Sequence, residues 1–363
     1  MSNSFGKSFT VTSFGESHGK VIGVIIDGCP AGLPLTENDL LENLRRRRPG
    51  QSSLTTQRIE ADMPQFQAGI LRGRTTGAPI CITIDNIDTE SGKYEEFRFD
   101  PRPGHADLTS YIKYGGFGDY RGGGRFSGRI TAGYVMAGSI ARKLLGMAGV
   151  DISAYTVAIG GINAELPAAD KLRELAMQNA VYCPDPVAAE SMIQAISRAR
   201  DEGDSLGGII EMTASGIPAG WGEPVTAGLD SEMAKAFFFI PAVKGVEFGA
   251  GFAAAAMKGS ENNDPFIVVN GAVRSTSNHS GGVLGGISSG MPLVARVAIK
   301  PTPSIAKPQL TVDLRTMSPV EISIAGRHDP CIVPRAVVVV EAIAAVVLCD
   351  LAIIAGAIPG VIE

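Results

Sequence analysis

CIVPRAVVVVEAIAAVVLCDLAIIAGAIPGVI, from Cys331 to Ile362, is the stretch on which the class of this chain turns. Its apolar length is that of a membrane span, which takes about 20 mostly apolar residues. Arg335, Glu341 and Asp350 interrupt it, so it reads instead as a helix buried inside a protein. The N-terminus, MSNSFGKSFTVTSFGESHGK, lacks the apolar core of a signal peptide. A cytoplasmic protein with no membrane partner is expected.

The rest of the composition agrees with a folded enzyme. The chain has 363 residues, 45% hydrophobic and 19% charged, which suits a packed interior and argues against global disorder. Glycine supplies 45 residues, well above the usual level of roughly 7%. Glycine serves where backbone turns sharply or comes close to a ligand, so many tight loops are implied. The net charge of -5 argues against general nucleic-acid affinity, which grows with the number of phosphates neutralised. Five scattered cysteines without a C-x-x-C pair signal neither a zinc site nor a disulfide framework.

Working toward the N-terminus, LVARVAIK (293–300), GGIIEMTASG (207–216), DISAYTVAIGGI (151–162), GAPICITID (77–85) and KVIGVIID (20–27) read as strands. Helices are expected from Pro186 to Arg200, opened by Asp185 and closed by Gly203, and from Thr131 to Gly146. A further helix carries Leu40, Leu41 and Leu44 on one face, starts at a Thr36–Asp39 capping box and stops at Pro49-Gly50. No linker divides the chain, so residues 1–363 are read as one domain.

Chemistry concentrates in the loops. His18, His105, His279 and His328 all lie in polar, glycine- or serine-containing segments, a setting for proton transfer as well as for ordinary surface histidines. No compact set of metal ligands is present, and no metal is expected. In KYGGFGDYRGGGRFSGR (113–129), three consecutive glycines stand among Arg121, Arg125 and Arg129. The segment reads either as a solvated basic loop or as a phosphate cradle before a helix. Arg45 to Arg48 complement a helix C-terminus, yet four cations exceed that need and suit a small polyanion. SNHSGGVLGGISSG (277–290) and KPTPS (300–304) are further candidate phosphate loops. Neither a P-loop nor a dinucleotide-binding pattern is found.

Taken in order, GESHG (15–19), RPGHAD (102–107), DYRGGGR (119–125) and GRHDP (326–330) resemble the motifs of chorismate synthases. PAVKGVEFG from Pro241, the 277–290 loop and KPT from Lys300 are similar to further segments of that family. The resemblance implies an α+β fold with helices between two antiparallel sheets, and a homotetramer. It implies a 1,4-anti elimination of phosphate from 5-enolpyruvylshikimate-3-phosphate that requires FMN in its reduced form. An external flavin reductant is then expected, since no reductase domain is seen, and whether NADPH serves is left open.

By the same resemblance His18 is the proton donor to the departing phosphate, and His105 acts near flavin N1. Asp329, helped by Ser17, takes the proton from flavin N5. The cofactor set is Arg125, Phe126, Ser127, Pro241, Ala242, Gly285, Lys300, Pro301, Thr302, Pro303, Ser304 and Arg327. Arg47 matches a substrate-anion position. Arg48, Arg129 and Arg335 are added on physical grounds, because burying so much unpaired negative charge is prohibitive. The chain departs from the pattern at Ser53, where a cation is expected, and at Phe126, Pro241 and Pro303. Rival readings are a different phosphate-binding flavoprotein, or an RNA-binding protein using Arg45 to Arg48.

Overall fold

β-Branched residues pack well on a pleated, half-covered surface, and they fill the strands here. The computed structural model describes residues 3–50, 60–87, 92–324 and 328–363. Strands β1 (Ser4–Phe5), β2 (Thr10–Gly15), β3 (Val21–Asp27), β4 (Gln65–Ala68) and β5 (Ile80–Asp85) form one antiparallel sheet, in the order β1-β2-β3-β5-β4. Its register sets Ile22, Val24 and Ile26 opposite Ile84, Ile82 and Ile80, all buried on one face.

A second antiparallel sheet contains β6 (Asp151–Ile159), β7 (Ile162–Asn163), β8 (Gly208–Ser215), β9 (Val243–Phe248) and β10 (Leu293–Ile299), ordered β9-β10-β8-β6-β7. Leu293, Ala295 and Val297 pair with Ala214, Met212 and Ile210 and give it a buried face as well. The longer helices in chain order are α1 (Asn38–Arg47), α2 (Asp107–Tyr114), α3 (Thr131–Met147), α4 (Pro186–Asp201), α5 (Leu229–Phe237) and α6 (Val333–Ile354). α3 packs on the first sheet, α6 on the second, and the two pack on each other. Helices therefore lie between two antiparallel sheets, as the resemblance implies. Where α3 meets α6, a Cβ on Gly138 would stand 2.4 Å from Ala342, so only glycine permits this approach.

Of the expected Thr36–Asp39 capping box only the Asp39 half forms: the helix begins one residue later, with Glu37 as its N-cap, and the Thr36 hydroxyl donates to Asp39 instead of accepting. The Asp39 carboxylate accepts the Thr36 backbone N–H at 2.8 Å, and Asp185 caps α4 by accepting from Val187 and Ala188. α6 is the apolar stretch that resembles a membrane span, and 89% of its most apolar window is buried in this protein. Its charges have internal partners. Asp350 accepts the backbone N–H groups of Lys7, Ser8 and Phe9, tying the two ends of the chain together. Glu341 accepts from Arg46 (2.6 Å), Arg142 (3.0 Å) and the Ala154 backbone N–H (3.0 Å).

Candidate active site

Successive residues of a helix point about 100° apart, so the arginines ending α1 face different surroundings. Arg45 is exposed and Arg46 turns to Glu341 in the helical seam. Arg47 is 2% exposed and is engaged on all sides: Nε donates to Thr131 Oγ1, Nη1 to Asp62 and Nη2 to the Gly128 carbonyl. Asp62 also accepts from Arg129, which donates to Asn86 Oδ1 at 2.9 Å. Arg335 follows, donating to the Arg47 carbonyl and to Asp329. Burial pulls the Arg47 guanidinium down to about 9, opposed by Asp62 and reinforced by Arg335 and Arg129. It stays protonated at neutral pH, and the guanidiniums of Arg47, Arg129 and Arg335 share three carboxylates: Asp62, Asp329 and the buried Glu60, 3.9 Å from Arg129.

His18 and His105 lie against the glycine run of the 113–129 loop. His18 packs edge-on against Tyr94, with ring centres 5.1 Å apart. Gly122 lies against it in the left-handed region (φ +60), where a Cβ would fall 2.3 Å from the imidazole. The next residue, Gly123 (φ +81), passes His105 less closely, with a Cβ there 3.2 Å from the ring. The glycine run thus lets backbone pass between two imidazoles. Within this loop the amides of Gly123, Ser127, Arg129 and Ile130 are engaged locally, and Arg121 pairs with Asp119. Anion binding from the loop accordingly rests on Arg125 and Arg129 more than on a backbone cradle.

His105 Nδ1 is 2.5 Å from Asp107 Oδ1, and Arg102 grips the same carboxylate. Burial lowers the His105 pKa, opposed by its bond to Asp107. Burial and Arg102 bring His328 down to about 4.

These groups border one cavity of about 680 Å³. Ser17, His18, His105 and Asp329 line it, with Arg47, Arg129 and Arg335. So do Arg125, Phe126, Ser127, Pro241, Ala242, Lys300, Thr302, Pro303 and Ser304. Arg48, Gly285 and Pro301 do not line it. Gly285 sits in a hairpin turn between Val283–Leu284 and Ile287–Ser288, and the Arg48 backbone N–H closes α1 on Leu44. Arg327 and Ser53 lie outside the described residues. His279 packs away from the cavity, where Asp264 accepts bonds from Ser277, His279 and Ser280.

The lining suits a flavin. Ser17 Oγ and Thr302 Oγ1 are buried on it without a protein partner among the described residues, a costly state unless a ligand supplies one. Phe126, Ile240, Pro241 and Ile332 give an apolar wall, while Arg125 and Lys300 supply cations for a phosphate.

The family model of chorismate synthase matches residues 9–353. This chain belongs to the chorismate synthase family. It is 55% identical over 363 residues to the chorismate synthase of Dehalococcoides mccartyi, covering 100% of both chains. Against the chorismate synthase of Korarchaeum cryptofilum it is 52% identical over 346 residues, 95% of this chain and 96% of the relative. A crystal structure of chorismate synthase superposes with a TM-score of 0.76 at 30% identity, covering 97% of this chain and 93% of that one. Membership makes the chain a lyase that acts on a small phosphate-bearing molecule.

Sequence reasoning missed several polar residues of this chorismate synthase family site, among them Glu60, Asp62, Asn86, Arg102 and Asp107. Arg102 and Asp107 stand inside the quoted RPGHAD motif, where a carboxylate two residues after a histidine was the available signal. Asp62 and Asn86 carry no local signal, since their partner Arg129 is 67 and 43 residues away.

Proposed function

We propose that this chain converts 5-enolpyruvylshikimate-3-phosphate to chorismate by 1,4-anti elimination of phosphate, with reduced FMN bound in the same cavity. The supporting observation is that His18, His105 and Asp329 line one cavity whose wall carries several arginines.

A phosphate with two carboxylates is costly to bury unless cations meet it. Arg47, Arg129 and Arg335 provide those cations, and Asp62 holds the first two in fixed directions. As carbon–oxygen cleavage builds charge on the departing phosphate, His18 delivers a proton to it. His105 would hold a proton next to the flavin position, and Asp329, oriented by Arg335, would accept one, with Ser17 on the same cavity wall. Arg125, Ser127, Ala242, Lys300 and Thr302 to Ser304 would hold FMN, with Phe126 and Pro241 contributing apolar surface. Reduced FMN, when bound, would supply transient electron density and recover it, leaving the reaction redox-neutral overall. The same reading gives a one-domain cytoplasmic enzyme, assembled as a homotetramer and dependent on an external source of reduced flavin.

The test is an anaerobic assay with photoreduced FMN and the substrate, following chorismate absorbance. Chorismate should form with reduced FMN and fail to form with oxidised FMN. Binding of both molecules without chorismate would reject the reaction and leave another phosphate-binding flavoprotein in its place.

A further inference from the structure

His105 stands two residues before α2, and Asp107 is the first residue of that helix. The Asp107 carboxylate is buried and densely bonded. Arg102 donates to it from Nε (2.7 Å), from Nη2 (2.8 Å) and from its backbone N–H (3.1 Å), and the remaining Nη1 goes to Ser304 Oγ (3.1 Å). Burial pushes the Asp107 carboxyl up, but the bonds from Arg102 and His105 outweigh it and hold the group well below the usual carboxylate range. It is therefore an anion at neutral pH. A carboxylate oxygen 2.5 Å from Nδ1 requires a hydrogen on that nitrogen, because two acceptors at this distance would repel. Arg102 Nη2 stands 3.1 Å from Nδ1 and 3.4 Å from Nε2, and with the hydrogen on Nδ1 only Nε2 can accept from it; Nε2 also lies beside Gly123, whose missing Cβ would sit 3.3 Å from it.

We propose that Asp107, itself held by Arg102, is a positioning residue that fixes the His105 ring as its Nδ1–H tautomer and presents Nε2 to the cavity. Free imidazole side chains choose between two tautomers, and a carboxylate partner on one nitrogen removes that choice. The charged groups around the ring are unequal. Arg102, Lys300 and His328 oppose a positive imidazole, whereas Asp107 alone is a carboxylate bonded to it. Asp107 thus sets both the direction of the ring and its capacity to hold a second proton. The catalytic consequence rests on the proposed elimination; the tautomer does not.

Nitrogen-15 NMR of histidine-labelled protein, without flavin or substrate at pH 8, reads the two ring nitrogens directly. His105 should carry its hydrogen on Nδ1. In Asp107→Asn the amide oxygen is claimed by Arg102 and the hydrogen should move to Nε2. In the anaerobic assay that variant should lose roughly 100-fold in kcat, with the substrate KM changed by less than about threefold. The alkaline limb of its pH profile, where His105 loses its second proton, should move to lower pH, and Asp107→Glu should recover part of kcat. An Nε2–H signal for His105 in the unmodified protein overturns the proposal, even where Asp107→Asn does not fold. So does an unchanged tautomer and kcat in a folded Asp107→Asn. An Nδ1–H signal in a chain that makes no chorismate would instead reject the proposed reaction and leave the positioning intact.

Discussion

Arg46 and Arg47 adjoin in sequence, and each is one of two guanidiniums sharing a buried carboxylate: Arg46 and Arg142 on Glu341, Arg47 and Arg129 on Asp62. The two clusters differ in what surrounds them. Glu341 also takes the Ala154 backbone N–H and sits in the seam between helices, where its charge is fully met. Burial pushes the Arg46 pKa down, but Glu341 outweighs it and the net shift is upward. For Arg47 burial outweighs Asp62, Arg335 and Arg129 add to it, and the net shift is downward. The first cluster holds helices together. The second keeps cations facing a cavity, at an electrostatic cost that an arriving anion removes. What the guanidinium faces, a cavity or a closed helical seam, separates binding from packing more than the residue type does.

Breaking the seam should have the largest effect. Glu341→Ala leaves Arg46 and Arg142 without their anion and should cost about 3–5 kcal/mol in urea unfolding. The folded fraction should keep its substrate KM. A KM rise matching that of an Arg47 variant would erase the distinction between the clusters.

Acidification should separate them next. His328 has a folded pKa of about 4, below its ordinary 6.5. Between these values the unfolded chain binds a proton that the folded chain does not. Stability should therefore be complete above pH 6.5 and fall toward pH 4, by at most about 3 kcal/mol. His105, also lowered, adds in the same direction. Glu341 is lowered from 4.5: burial pushes its pKa up, but Arg46 and Arg142 outweigh it, so the seam should hold until more acid pH. His328→Asn should flatten the upper decline in a pH series of unfolding curves.

Arg47→Ala should act mainly on substrate, raising KM roughly 30-fold, or about 2 kcal/mol. Arg48→Ala, at a residue outside the cavity lining, should change KM less than about twofold. Equal effects of the two would mean that the run binds as a diffuse patch.

Much of the fold was legible because its signals are local. The β-branched runs became strands, Asp185 capped a helix, and the charges in 331–362 marked that stretch as buried. The layering of sheets and helices followed only from the family resemblance, since no periodicity states which faces meet. The site motifs were likewise local, and His18, His105 and Asp329 do line one cavity. The division of labour between Arg46 and Arg47 was not legible. It depends on Glu341, 295 residues from Arg46, and on Asp62, whose neighbourhood has no distinctive pattern. The close passage of Gly122 beside His18 was hidden for the same reason: a glycine count says that space is needed, but not by what.

The most direct measurement is a single-turnover experiment without oxygen, with enzyme and reduced FMN in excess over 5-enolpyruvylshikimate-3-phosphate. Phosphate and chorismate should appear together, one of each per substrate consumed. Phosphate without chorismate, or neither product from a protein that binds flavin and substrate, would contradict an elimination at this cavity.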